Sequence, residues 1–147
     1  LGGNGYIEDF PVGRRYREQP VMAIWEGSGN VIALDVLRAI SREPESVDAF
    51  LAEVSRADGA HPAFDEYLAD TRALLADVAA QDSATAARGA RRLSEQLALT
   101  LQASLMIQHA PAPAAEAFVG ARLGPDRSRL YGSLPGGTDF KAILDRH

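Results

Sequence analysis

The chain has 147 residues, 46% of them apolar, a formal net charge of −5 and no cysteine. That size and apolar share suffice for one buried core, and the lack of cysteine excludes disulfides and thiolate metal sites while suiting a reducing cytoplasm, the expected location. The acidic balance argues against a general nucleic-acid binder, whose affinity comes from Lys and Arg displacing phosphate counterions.

Fourteen of the fifteen basic residues are Arg, with Lys141 the exception. Such a bias can favour bidentate anion contacts, but it also reflects the composition of a whole genome. The most apolar run, from Leu97 to Ile107, is broken by Thr100, Gln102 and Ser104 and falls short of the twenty or so residues a bilayer span needs, so no membrane partner is expected. Leu1 to Tyr6 carry neither an initiator Met nor the basic and apolar regions of a signal peptide, and the chain reads as a fragment of something longer.

In chain order, the first thirty residues are rich in Gly and aromatics and lack helical periodicity. They read as an ordered, irregular connection with a short turn near Gly13 to Arg17. From Ser28 or Asn30, either of which can cap, Val31, Leu34, Asp35 and Arg38 alternate with Ile32, Val36 and Ile40. That spacing predicts a mostly buried helix, stopped by Glu43-Pro44. Ser46 is the expected cap of a short helix with Val47, Phe50, Leu51 and Val54 on one face, ended by Asp58-Gly59.

Pro62 suits the first turn of the next helix, where Phe64, Tyr67, Leu68, Thr71, Leu74, Leu75 and Val78 form an apolar stripe. Its expected partner is the long segment Ser83 to His109, with Ala86, Ala90, Leu93, Leu97, Leu101 and Leu105 on one face, widened by Leu99, Ala103, Met106 and Ile107. Pro111 and Pro113 end that helix and restart a shorter one through Phe118, Val119 and Leu123, which Gly124-Pro125 terminates. A last helix is expected to point Phe140, Ile143 and Leu144 inward behind a Thr138 cap. No run combines β-branched residues with period-two alternation, so the fold class is all-α, an antiparallel helical bundle.

The sharpest signal lies in the first 38 residues: Leu1-Gly2-Gly3-Asn4-Gly5-Tyr6, Pro11-Val12, Arg15-Tyr16-Arg17-Glu18, Ile24-Trp25-Glu26-Gly27-Ser28-Gly29-Asn30 and Leu34-Asp35-Val36-Leu37-Arg38. In that order it resembles the C-terminal helical domain of acyl-CoA dehydrogenases, in the AidB-like branch tied to the adaptive response to alkylation. Residues 1–43 then correspond to the end of the family's helical core with its catalytic turn. Residues 44–147 resemble, more loosely, the AidB-like helical extension, packed with the first part as one unit.

The resemblance implies α,β-dehydrogenation of an acyl-CoA thioester with FAD as hydride acceptor, in a longer and usually homo-oligomeric parent. Glu26 falls at the family's base position. An α-proton beside a thioester is weakly acidic and a free carboxylate is a weak base, so the site must strengthen the base by excluding water, and Trp25 is the neighbour able to do so. Gly27 leaves the approach open, and the Glu26 main-chain N–H is placed to polarise a thioester carbonyl. Trp25, Gly27 and Arg38 are the candidate pocket residues, and Gly3 and Ser28 the candidate flavin contacts. Because the family draws most flavin contacts from parts that are not here, the fragment itself is expected to hold none.

Two departures concern the substrate. Trp25 stands where ordinary dehydrogenases usually have Tyr, and Ser28-Gly29-Asn30 where they usually have Thr-Ser-Glu. Apart from this pattern, Glu26 is an ordinary first-turn Glu, Trp25 a core anchor and the glycines helix stops. Gly27-Ser28-Gly29 is no dinucleotide fingerprint, since a third Gly would belong at Ile32.

AidB-like proteins are also associated with double-stranded DNA, for which Arg88, Arg91 and Arg92 are candidates, followed by Arg122, Arg127 and Arg129. Residues 39–147 nevertheless carry eleven basic and fifteen acidic groups, and scattered surface charge is the favoured explanation of such runs. A third reading makes the extra helices purely structural, shielding the bundle or joining subunits. His61, His109 and His147 lie in no metal-ligand spacing, so no metal is expected. The pairs Glu8-Asp9 and Asp65-Glu66 read as solvated.

Overall fold

The computed structural model describes residues 2–125, 127–128, 130 and 132–145. Among them are seven α-helices and no strand: α1 Val12–Met22, α2 Gly29–Arg42, α3 Glu45–Val54, α4 Pro62–Ala80, α5 Ser83–His109, α6 Ala112–Arg122 and α7 Phe140–Leu144, with 3-10 turns at Gly2–Gly5 and Ser55–Ala57. The centre is α5, against which α2, α3, α4, α6 and the Ser55–Ala57 turn all pack. The all-α bundle expected from the periodicity is the fold observed.

Each long helix starts where local chemistry satisfies its first amides. His61 precedes Pro62 and accepts the Ala63 N–H on Nδ1 at 3.1 Å. Asp82 accepts from Ala84 N at 3.0 Å, Thr85 N at 3.1 Å and Thr85 Oγ1 at 2.7 Å. These bonds, that of the Thr85 hydroxyl first, hold the Asp82 carboxyl below its ordinary range. A different solution starts α3: Pro44 occupies the cap position and Ser46 lies inside the first turn, because a fixed proline φ already presets the helix. At the end of α6 the chain turns at Gly124, where a Cβ would come within 2.6 Å of the Gly120 carbonyl oxygen. Only glycine allows that approach.

Packing sorts α4 and α5 by size. Phe64 and Leu68 are fully buried with Val54, Ala57, Ala103, Val119 and Leu123. One turn beyond Leu68, the fully buried Thr71 and Thr100 hydroxyls lie 2.8 Å apart. Gln96 Nε2 donates to Thr71 Oγ1 at 3.1 Å, and Thr71 Oγ1 reaches the Tyr67 carbonyl at 2.8 Å. The Thr100 hydroxyl also lies 2.8 Å from the Gln96 carbonyl, and since each hydroxyl carries one proton, one of the two threonines leaves its carbonyl in order to donate across the pair. Farther along α5, the buried Ser104 donates to the Val54 carbonyl at 3.4 Å and accepts from Gln108 at 2.8 Å, tying α5 to the end of α3.

Several expectations need correction. The segment before Ser28 holds an eleven-residue helix, α1, beyond the short turn expected. It lacks an apolar stripe, since Gly13 is its one buried residue, and polar pairs support it: Arg14 with Glu18, and Arg17 with both carboxylate oxygens of Glu8. Glu8 is therefore paired, and Asp65 accepts the Gly59 N–H at 2.9 Å. Only Ala33 of α2 is fully buried, while Val31, Ile32 and Leu34 are exposed, because one face of α2 meets α5 and nothing here covers the other.

On α5, Thr100, Ala103 and Ser104 fill the tightest contacts and Leu105 is exposed. Small side chains there let the neighbouring helices approach. Asp139, whose carboxylate accepts the Ala142 N–H at 2.9 Å, caps α7, while Thr138 donates to the Pro135 carbonyl. Phe140 and Leu144 are exposed, since a five-residue helix offers one narrow inner face. Leu1, Arg129 and His147 lie outside the described residues.

Leu93 is 0% exposed and sits on the inner face of α5. Leu93→Ala should destabilise the fold by about 2–5 kcal/mol, read as a lower urea midpoint at unchanged m. For Asp82, whose folded carboxyl ionises at lower pH than its unfolded one, stabilisation is complete above the ordinary carboxylate range and fades as pH falls through the lowered value. Asp82→Asn keeps an acceptor but cannot titrate, so its acid unfolding curve should lose part of the wild-type slope.

Candidate functional site

Residues 23–28 form the turn joining α1 to α2, and backbone bonds set its shape. Ile24 N and Trp25 N donate to the Val21 carbonyl at 3.0 Å each, and Gly27 N donates to that of Ile24 at 3.2 Å. Gly27 then takes φ +114°, in the region where an L side chain is strained. A Cβ there would meet Val31 and Ile32 at an ordinary 3.7 Å, so the glycine requirement is one of backbone conformation. Ser28 is extended, at φ −66° and ψ 155°, and its carbonyl accepts the Ile32 N–H at 3.0 Å without any bond from its hydroxyl.

This places Glu26 just before the amino end of α2. Its side chain is exposed and, among the described residues, neither its carboxylate nor its main-chain N–H has a hydrogen-bond partner. Trp25, the one tryptophan of the chain, is 64% exposed. Eleven of the sixteen exposed large hydrophobics among the described residues lie between Tyr6 and Leu34. So concentrated an apolar surface marks a face normally covered by something else.

A contact distant in sequence holds the far side of the turn. Arg91 on α5 donates to Asn30 Oδ1 at 3.2 Å, and its guanidinium lies where a Cβ on Gly29 would come within 2.7 Å of Nη1. The Ser28-Gly29-Asn30 segment therefore rests on the long helix. No sequence signal announces this, since the partners are 61 residues apart.

The other predicted site residues divide. Gly3 lies in the exposed 3-10 turn, where a Cβ would meet nothing within 4 Å. Arg38 pairs with Asp35 on the same helix and lines a cavity of about 530 Å3 with Leu34, Leu37, Val78 and Ala86. Glu26 is not among the residues lining that cavity. Of the arginines, Arg88 turns back to the Ala84 carbonyl and Arg91 reaches Asn30. Arg92 faces a separate cavity shared with Arg122 and Arg127, a convergence that spacing along the chain does not reveal. Among the described residues no group of three His, Asp or Glu can hold a metal ion, and no helix is long and apolar enough to cross a membrane.

Comparison with known proteins gives the same direction. The model of the family described as acyl-CoA dehydrogenase, C-terminal domain, matches residues 1–41, which include the turn. Over 118 residues the chain is 33% identical to AidB of Escherichia coli (strain K12), which carries an acyl-CoA dehydrogenase name, covering 80% of this chain and 20% of that protein. Over 124 residues it is 32% identical to acyl-CoA dehydrogenase family member 11 of Caenorhabditis elegans, covering 75% and 20%. The chain thus spans about a fifth of the length of the curated relatives it matches.

Gly27→Ala should displace the Trp25-Glu26 turn, changing Trp25 emission and its quenching by acrylamide. Because an alanine at φ +114° is strained, the variant should also lose about 1–3 kcal/mol of stability, read as a lower urea midpoint.

Proposed function

Since the chain belongs to the acyl-CoA dehydrogenase family, on its AidB-like branch, we propose that it is the C-terminal helical part of a longer FAD-dependent enzyme that removes the α- and β-hydrogens of acyl-CoA thioesters. Residues 1–43 contribute the catalytic turn and residues 44–147 an extension that braces it. The observation that carries this reading is the exposed Glu26 carboxylate on a glycine-shaped turn, with its own amide unengaged, in the segment richest in exposed apolar side chains.

The chemistry assigned to each group follows from its position. Glu26 takes the proton from the carbon next to the thioester. Its main-chain N–H is free to donate to the thioester oxygen, where negative charge gathers as that proton leaves. Trp25 supplies an apolar wall, and covering it would drive water from the carboxylate and make it a stronger base. A bound flavin would supply the acceptor for the β-hydrogen as hydride.

The chain's own residues fit one side of such a site and no more. Ser28 and the first amides of α2 offer donors at a helix amino end, while Gly3 lies in an open turn that nothing here encloses. The remaining enclosure falls to the rest of the parent chain, docking on the apolar surface between Tyr6 and Leu34. Arg38 pairs with Asp35 and lines a cavity beside α4 and α5, so its part in the substrate pocket would require a polar group of the substrate to reach that cavity. A carboxylate remote from any surface needing cover would count against the whole reading; Glu26 is solvent-exposed but lies within that surface.

The test is single-turnover flavin reduction by an acyl-CoA in the full-length parent protein. Glu26→Gln should keep the flavin spectrum and slow reduction by about 10²–10⁴-fold. An unchanged rate in that variant, or a parent chain that binds no flavin, would sink the proposal.

A further inference from the structure

Away from the catalytic turn, a cavity of about 560 Å3 opens between α4, α5 and the end of α6, within the size range of small-molecule sites. Arg92 enters it from α5, Arg122 from the last position of α6 and Arg127 from the segment that follows. Tyr67, Glu95, Gln96 and Ser128 complete the polar lining among the described residues. Among the described lining residues three guanidinium groups stand against one carboxylate, an excess of positive charge, and Glu95 is engaged in an interaction of its own.

Bonds within the chain fix two of the lining residues. Gln96 is fixed by its bond to Thr71 Oγ1, which in turn meets the buried Thr100 hydroxyl. Arg122 donates to the Ser128 carbonyl at 3.2 Å, anchoring the segment that carries Arg127. Arg92 and Arg127 have neither a hydrogen bond nor an ion pair among the described residues. Like charges converge here with a single carboxylate, Glu95, among the described lining residues, and a concave wall concentrates their field.

We propose that this cavity binds the terminal phosphate of a small organic phosphate, a phosphomonoester or a diphosphate. A terminal phosphate carries roughly −1.5 to −2 charges at neutral pH and three acceptor oxygens, which suits three guanidinium forks converging from different segments. A phosphodiester within a duplex carries a single charge and is flanked on both sides by backbone, so it cannot enter a recess between helices. Tyr67 at the wall gives the organic part of the ligand an aromatic surface. The site uses none of the groups assigned to acyl-CoA chemistry, and it stands or falls independently of that reading.

Calorimetric titration of the chain with inorganic phosphate, pyrophosphate and adenosine monophosphate tests the proposal, with a blunt DNA duplex lacking terminal phosphates as competitor. Saturable one-to-one binding is expected, weakened by salt and reduced at least about tenfold by Arg92→Gln or Arg127→Gln, each the loss of one charged hydrogen-bonding partner. Both positions are exposed, and circular dichroism of the variants checks that the fold is retained. Arg88→Gln, outside the cavity, should bind as wild type. Adenosine monophosphate binding tighter than inorganic phosphate would identify an organic phosphate as the ligand, and inorganic phosphate binding as tightly would overturn that part of the assignment. No saturable binding at millimolar ligand, variants that bind unchanged, or a duplex that competes as well as adenosine monophosphate would overturn the site.

Discussion

The bond between the Thr71 and Thr100 hydroxyls sets the register of the two longest helices, and the rest of the packing follows from it. Both side chains are fully buried, and an unpaired hydroxyl in that setting would cost free energy comparable to a lost hydrogen bond. Sliding α4 along α5 by one turn would separate the pair and free Gln96 from Thr71. In the register they select, Phe64 and Leu68 join Ala103 and Val119 in one core cluster, and Ser104 comes beneath the last carbonyl of α3. No buried side-chain nitrogen or oxygen is left unpaired among the described residues, so the polar atoms in this core add specificity without an unmet desolvation cost.

From that register the Trp25-Glu26 turn acquires its support. Arg91 projects from α5 onto Asn30, and the Ser28-Gly29-Asn30 departure from the usual family pattern makes room for it, since Gly29 leaves the guanidinium space. The region matched by the family model therefore rests on a helix that lies beyond that match. By contrast, α1 packs on the Gly2–Gly5 turn and leaves its aromatic neighbours open. Rigidity on one side and uncovered apolar surface on the other are what a segment needs if it carries one reacting group to a site completed elsewhere.

Arginine illustrates how composition and geometry differ in what they say. Arg88, Arg91 and Arg92 are neighbours in sequence, yet one folds back on its own helix, one braces α2 and one lines the recess near Arg122 and Arg127. A helix turns by about 100° per residue, so Arg91 and Arg92 face different directions, while Arg88, about one turn from both, is engaged by its own helix. Clustering along the chain is no measure of clustering in space.

The amino-acid sequence by itself determined the helical class, the bounds of α4, α5 and α6, the apolar face of α4 and the position of the Glu26 turn. Each depends on local spacing, proline punctuation or a contiguous motif. It left α1 unread, because that helix is supported by polar pairs such as Arg17 with Glu8 and presents no apolar period. It also overstated the burial of α2, Phe140 and Leu144, since periodicity identifies a face but not whether anything lies against it. Only the tertiary structure decided that Thr100 and Ser104 are interior, that Arg91 meets Asn30 and that Arg92 meets Arg122 and Arg127. Those relations join residues tens of positions apart, and helix packing alone brings them within reach.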